Sequence, residues 1–168
     1  MSDSIKVALL RHLQNEVYCR IGVSRISGVG VIAIKNIPKG TNPFACTPPR
    51  EDCFIDVLEE ELEGLPPSIT QYIKDFFSKD EAGAYPVNAT GLNDLNISFF
   101  VNHSDAPNLT IEDIKEKEAN SLNTLNTFLT NRDVNAGEEL TCDYKRFLSV
   151  DILKEQYPFI SKRYETSI

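Results

Sequence analysis

Two short polar runs hold the side chains best suited to chemistry: Asn102-His103-Ser104-Asp105-Ala106-Pro107-Asn108 and Gly137-Glu138-Glu139-Leu140-Thr141-Cys142-Asp143-Tyr144, about thirty residues apart. Taken alone, the first reads as a polar loop able to cap a helix, and the second as an acidic turn feeding a short strand that ends in an aromatic. Asn102 alone reads as a loop-stabilising Asx residue, His103 as a satisfied core imidazole, and Tyr144 as a buried tyrosine whose hydroxyl finds a partner. Metal chemistry is not indicated. Cys19, Cys46, Cys53 and Cys142 show no C-x-x-C spacing, two histidines are too few for a histidine-rich site, and neither D-x-D nor H-E-x-x-H occurs. The expectation is reduced thiols and no metal.

Short strands around a helical insert must position these runs. Val17 to Arg20 and Val29 to Lys35 are rich in β-branched residues. They are divided by Ser27-Gly28-Val29-Gly30 and closed by the turn Pro38-Lys39-Gly40, so the N-terminal third reads as strand. From Glu51 to Glu63 seven acids interleave with Phe54, Ile55, Val57, Leu58 and Leu62. That spacing predicts an amphipathic helix with an acidic outer face, stopped by Leu65-Pro66-Pro67. A second helix opens at Pro67 or Ser68, where Ile69, Tyr72, Ile73, Phe76 and Phe77 recur at helical spacing and predict a stripe packed on the core. Strands are expected again over Tyr85 to Ala89, Ser98 to Val101, Leu109 to Ile111, Leu125 to Asn131 and Glu139 to Thr141, with a last helix near Ser149 to Tyr157. Asn93 to Asn96 and Glu116 to Asn123 read as exposed polar loops.

Composition bounds the partners. At 168 residues and 41% hydrophobic content, one domain with one substantial core is expected. The 17 basic and 25 acidic residues leave a net charge of -8, which disfavours direct nucleic-acid binding and favours basic or neutral partners. No apolar run approaches the roughly 20 residues that span a bilayer. Met1 to Lys6 lacks the basic-then-apolar order of a signal peptide, so a soluble, intracellular chain without membrane partners is expected. No basic import cluster separates nuclear from cytoplasmic residence.

Four blocks in order resemble the SET-domain protein-lysine methyltransferase family. Ser27-Gly28-Val29-Gly30-Val31-Ile32-Ala33 with Asn36-Ile37-Pro38-Lys39-Gly40 is similar to its opening G-x-G block, and Tyr85 to Thr90 followed by Leu95 to Asn108 to its Y-x-v-D-A and N-H-S-C-x-P-N blocks. Arg132 to Ala136 leads into Gly137 to Tyr144 as the family's closing G-E-E-L-t-x-D-Y does. A lone G-x-G is weak, since two glycines in a turn more often serve the backbone; the N-H-S and G-E-E-L blocks together are specific. The resemblance implies a mostly β fold with a helical insert at about 50-80, several small sheets and a C-terminal pseudoknot, within a single SET domain of core about 17-145 and a C-terminal helical segment at about 146-168.

It also implies S-adenosylmethionine as cofactor, S-adenosylhomocysteine as product and a lysine-containing, basic protein or peptide as partner. Methyl transfer from a sulfonium to an amine is an in-line displacement, which needs alignment and exclusion of water. The amine must be neutral although its free pKa is about 10.4, so burial and a neighbouring positive charge must favour deprotonation. As the resemblance implies, Tyr144 orients the lysine amine and Tyr85 lines the transfer channel, both entering as catalytic candidates. Gly28, Val29, Gly30, Val31, Phe99, Asn102, His103 and Tyr144 are the cofactor-binding candidates, with Asn102 acting through its amide and His103 through its main chain.

Several positions depart from the pattern. Asp105 stands where the family has cysteine, Phe99 where it often has arginine or histidine, and no post-SET C-x-C-x-x-x-x-C cluster follows Tyr144. Phe147, Leu148, Tyr157 and Phe159 are candidates to wall the channel instead, docking of the last helix on the core being the alternative. Ile111 and Cys142 are the channel positions where some members place an aromatic, so di- or trimethylation is an expectation. The acidic segment falls where the family's insert forms a peptide groove, which suits a histone tail or ribosomal protein segment; a solvated helix face is the plainer reading. Two functions stay open: a methyltransferase, and a catalytically weak module that binds cofactor or peptide as an interaction platform.

Overall fold

In a computed structural model the chain forms small sheets and a few helices, described over residues 2–45, 54–80, 82–89, 91–112 and 127–160. Backbone proximity divides it into two compact units, one of Met1–Asp52 with Phe100–Asp143 and one of Cys53–Phe99 with Tyr144–Ile168.

The first unit opens with a helix, α1 (Ser2–Asn15), where the strand-like reading of the N-terminal third is corrected. Ala8, Leu9, Leu10, Arg11, Leu13 and Gln14 are strong helix formers with no glycine or proline among them. Strand character begins at β1 (Cys19–Val23), which pairs antiparallel with β2 (Val29–Ala33) in the register Cys19 to Ala33. Two further strands, β5 (Asn102–His103) and β8 (Glu139–Cys142), complete a sheet of order β1-β2-β8-β5. Strand β8 runs antiparallel to β2, with Val31 opposite Leu140 and Ile32 opposite Glu139. It runs parallel to β5, with Asn102 opposite Thr141 and His103 opposite Cys142. Because side chains alternate across a strand, Val31, Leu140 and Cys142 enter the core while Ile32, Glu139 and Thr141 share the other face.

A hairpin of β6 (Leu109–Glu112) and β7 (Thr127–Thr130) pairs Ile111 with Phe128. The loop read over Glu116 to Asn123, and Leu125 and Asn126 of the expected strand, lie outside the described residues. The Ile37-Pro38 and Val134-Asn135 turns are joined by an antiparallel bridge between Ile37 and Val134. Asn36 accepts from the Ala136 amide at 3.0 Å and Asp133 from the Lys39 amide at 2.8 Å, so each turn is capped by a side chain of the other.

The second unit pairs β3 (Phe54–Leu58) with β4 (Ala84–Asn88), Phe54 facing Asn88 and Val57 facing Tyr85. The helix expected from Glu51 to Glu63 is therefore replaced by a strand and one helical turn, α2 (Glu59–Leu62). Phe54, Ile55 and Val57 favour a pleated surface, and β4 supplies the partner that a sequence window cannot display. Glu61 then accepts from the Leu58 amide at 2.8 Å and starts the turn. Residues 46–53, including Glu51, Cys46 and Cys53, lie outside the described residues.

The second expected helix is present as α3 (Pro67–Phe76), with Pro67 at its first position. Ile73 of α3 and Phe77 just beyond it join Leu62 and Tyr85 in the buried core of this unit. The strand expected over Ser98 to Val101 is instead a 3-10 turn, Ile97–Phe100. Asn96 accepts from the Ser98 amide at 2.9 Å through its side chain and from the Phe99 amide at 3.1 Å through its carbonyl, which winds the backbone into a turn. The last helix, α4 (Val150–Gln156), is capped by Ser149, whose hydroxyl accepts from the Ile152 amide.

Candidate functional site

Residues 24–28 turn the chain from β1 into β2, and Asn102 closes this loop. Its Nδ2 lies 2.9 Å from the Val29 carbonyl oxygen, 3.3 Å from that of Ser27, 3.1 Å from Ser24 Oγ and 2.9 Å from Glu139 Oε1. All four neighbours are acceptors, so the amide nitrogen faces inward and Oδ1, which makes no hydrogen bond among the described residues, is the group left to a ligand. The Ser24 hydroxyl donates to Glu139 Oε1 at 2.7 Å and accepts from the Ile26 and Ser27 amides at 2.8 and 3.1 Å. The Arg25 amide donates to the second carboxylate oxygen at 3.3 Å.

The two glycines of the loop serve different ends. Gly28 has φ +50°, in the left-handed region, and a Cβ there would meet open space. Gly30 is bare for a steric reason: a Cβ would lie 2.2 Å from Glu139 Oε1 and 3.0 Å from Asn102 Nδ2. Val29 is exposed and uses its carbonyl on Asn102, whereas Val31 is wholly buried.

His103 sits between two acids. Its Nε2 is 3.4 Å from Asp105 and its Nδ1 is 3.7 Å from Asp143, with the imidazole only 8% exposed. The family-unlike Asp105 thus faces the ring. At the end of the same run Asn108 is buried and substitutes for a strand beside β8: it donates to the Glu139 carbonyl and accepts from the Thr141 amide, both at 2.8 Å. Cys142 is 1% exposed and its thiol is pushed up to about 12 by burial and then by Asp143. Ile111 is partly buried in the hairpin opposite Phe128. An open groove on the Glu139 face of the sheet is lined by Arg20, Gly22, Arg25, Ile32, Glu139 and Thr141.

Within the second unit, Tyr144 opens a 3-10 turn and stacks edge-on against Phe147 and Tyr157, with ring centres 5.6 and 5.1 Å apart. Tyr157 also meets Phe159, and its hydroxyl lies 3.2 Å from that of Ser78. Three of the four C-terminal aromatic and apolar candidates for a channel wall, Phe147, Tyr157 and Phe159, thus share an aromatic cluster with Tyr144. Tyr85 is elsewhere: its ring is 1% exposed in the β3-β4 core and its hydroxyl donates to Glu59 at 3.2 Å. Burial, followed by the Glu59 charge, pushes that phenol up to about 12. Phe99 packs on Phe77 and Phe54, at 5.0 and 6.3 Å. Its side chain is partly buried and packs against the core of this unit.

Glu59 is held down at about 2 by hydrogen bonds from Lys74 and then Lys79, and Lys79 is raised above the ordinary lysine range by Glu155 and then Glu59. Through Lys79, 2.7 Å from Glu155 and 3.0 Å from Glu59, this network ties α2 to α4. Sequence reading assigned no task to Ser24, Asn108, Glu139 or Lys79. Their long-range partners lie 20 to 115 positions away along the chain, beyond any local signal.

A model of the SET domain family matches residues 28–145, from the first loop glycine to just past Tyr144. The chain belongs to the SET domain family. A crystal structure of a Plasmodium falciparum protein, provisionally assigned as a histone methyltransferase, is similar at 21% identity over 76% of this chain and 96% of that one, with a TM-score of 0.46. No curated protein matches the chain's sequence. SET domain proteins are generally protein-lysine methyltransferases that use S-adenosylmethionine. The residues of this SET domain fit such a group in kind: open space beside Gly28, loop main chain at the end of β1, and an Asn102 amide oxygen with no hydrogen bond among the described residues, an acceptor suited to an ammonium.

Proposed function

We propose that this SET domain transfers a methyl group from S-adenosylmethionine to lysine side chains of a basic protein segment, histone tails included. The observation that carries the reading is the family match, which encloses the glycine loop, Asn102, His103 and Tyr144 in one span. The loop and Asn102 hold the amino-acid end of the cofactor, with the Asn102 amide oxygen as acceptor and the main chain of His103 beside the nucleoside. The cofactor supplies an electrophilic methyl on a sulfonium.

Tyr144 orients the lysine amine through its hydroxyl, and Phe147 and Tyr157 wall the amine's approach, excluding water and favouring the neutral amine. The aromatic cluster around Tyr144 supports that assignment without a zinc-bound segment. Cys142 and Ile111 leave the channel without an aromatic constriction, so more than one methyl is accommodated. Exposed Asp56, Glu60, Glu61 and Glu63 give the insert a negative face that attracts lysine-rich segments.

The test is incubation of the parent protein and Tyr144→Phe with labelled S-adenosylmethionine and a panel of histones and lysate proteins. The expected result is labelling by the parent and a loss of about 100-fold in the variant, the scale of a misoriented nucleophile, with cofactor binding retained. Equal labelling by both overturns the role of Tyr144, and a parent that binds no cofactor overturns the function.

A further inference from the structure

One carboxylate organises the whole Asn102 corner. Glu139 receives the Ser24 hydroxyl, the Arg25 amide and the Asn102 amide nitrogen, and occupies the space that a side chain on Gly30 would need. The three donors come from two places in the chain, residues 24–25 at the end of β1 and Asn102 at the start of β5, while Glu139 itself begins β8. A freely rotating asparagine presents nitrogen or oxygen to a ligand with little preference. Against Glu139 only one orientation is favourable, because a flipped amide would set its oxygen against the carboxylate and two carbonyls.

We infer that Glu139 is a positioning residue for the cofactor. It fixes the Asn102 amide with the oxygen outward and holds residues 24–28 in the conformation that receives the cofactor's ammonium end. The inference rests on the methyltransferase reading and assigns within it a task to a residue that touches neither cofactor nor lysine. Ser24 is the relay, since its hydroxyl joins Glu139 to the loop amides of Ile26 and Ser27.

The experiment compares the parent with Glu139→Ala, Glu139→Gln and Ser24→Ala, using S-adenosylhomocysteine as the titrated ligand. Turnover is measured against cofactor and against peptide, and NMR follows the Asn102 side-chain amide in ligand-free protein. Glu139→Ala is expected to weaken ligand binding by about tenfold or more, as removal of a supporting shell does, and to raise the cofactor KM while kcat and the peptide KM stay near the parent. Glu139→Gln keeps an oxygen that accepts from Ser24 and Asn102, and so restores most of the affinity. The Asn102 side-chain amide resonances should be shifted from their free-chain positions in the parent and move towards those positions in Glu139→Ala. A variant that binds like the parent, or a loss in which kcat falls and the peptide KM rises along with the cofactor KM without rescue by glutamine, overturns the inference while the methyltransferase reading stands. A parent that binds no ligand overturns both. If Glu139→Ala does not fold, Ser24→Ala decides by the same measurements.

Discussion

The side-chain nitrogen of Asn102 lies 2.9 Å from a carboxylate oxygen of Glu139, and the backbone of Gly30 passes so close to both that a Cβ there would collide with the Glu139 carboxylate as it stands. Gly30→Ala should therefore displace Glu139 and weaken cofactor binding. In a Glu139→Ala background the same substitution should cost much less, because the two nearest colliding atoms, both of Glu139, are gone. A double-mutant cycle on S-adenosylhomocysteine affinity measures the coupling, expected at about 0.5–3 kcal/mol for residues in contact. Additive losses would mean that Gly30 matters for its backbone alone.

Asn108 completes the hydrogen bonding of β8 from the side, with an amide donor and acceptor that no other side chain of that length supplies together. Asn108→Ala leaves the Glu139 carbonyl and the Thr141 amide without it in a buried place, and should destabilise the fold by about 1–3 kcal/mol. Urea denaturation reads this as a lower midpoint at unchanged slope. Asn108→Asp should be destabilising too, since it loses the donor to Glu139.

Acid should loosen both units. Glu59 and Glu138 ordinarily titrate near 4.5 and are held at about 2 in the fold, Glu59 by Lys74 and Lys79 and Glu138 by Arg132 and the Asn135 amide. Their folded values are the lower ones, so the unfolded chain binds more protons between pH 2 and 4.5. The stabilisation is full above about pH 4.5 and is lost as pH falls toward 2. Both groups keep contact with solvent, so each contributes modestly. Lys74→Met and Arg132→Met should flatten the fall in urea midpoint over that window, and an unchanged profile would contradict the assignment.

The described thiols should be inert. Burial raises Cys19 to about 11 and Cys142 to about 12, so neither is a thiolate near neutral pH. Alkylation of native protein at pH 8 followed by peptide mass spectrometry should leave both unmodified, and addition of denaturant should label both. Native labelling at Cys142 would show that the β8 end opens.

The family was legible because its motifs are written in local strings. Asn102-His103-Ser104 and Gly137 to Tyr144 stand in the order that a SET domain requires, and the family match spans them. Helix α3 was equally plain, as its apolar stripe repeats at helical spacing beside a proline suited to its first turn. Tyr85, which the family resemblance assigns to the channel, has a setting no local string displays: pairing of β4 with β3 places it in a core, with its hydroxyl on Glu59.

By itself, the sequence determined which side chains are available and which family's arrangement they follow, because motif spacing and helical periodicity are properties of neighbouring residues. Tertiary structure alone decided that Phe54 to Leu58 is a strand, that Ser98 to Phe100 turns, that Gly30 is bare beside a carboxylate, and that the Asn102 amide nitrogen is turned onto Glu139. Each of those depends on strand register or on a partner dozens of residues away. A one-residue change in that register would send every side chain of β8 to the opposite face and take Glu139 from Asn102.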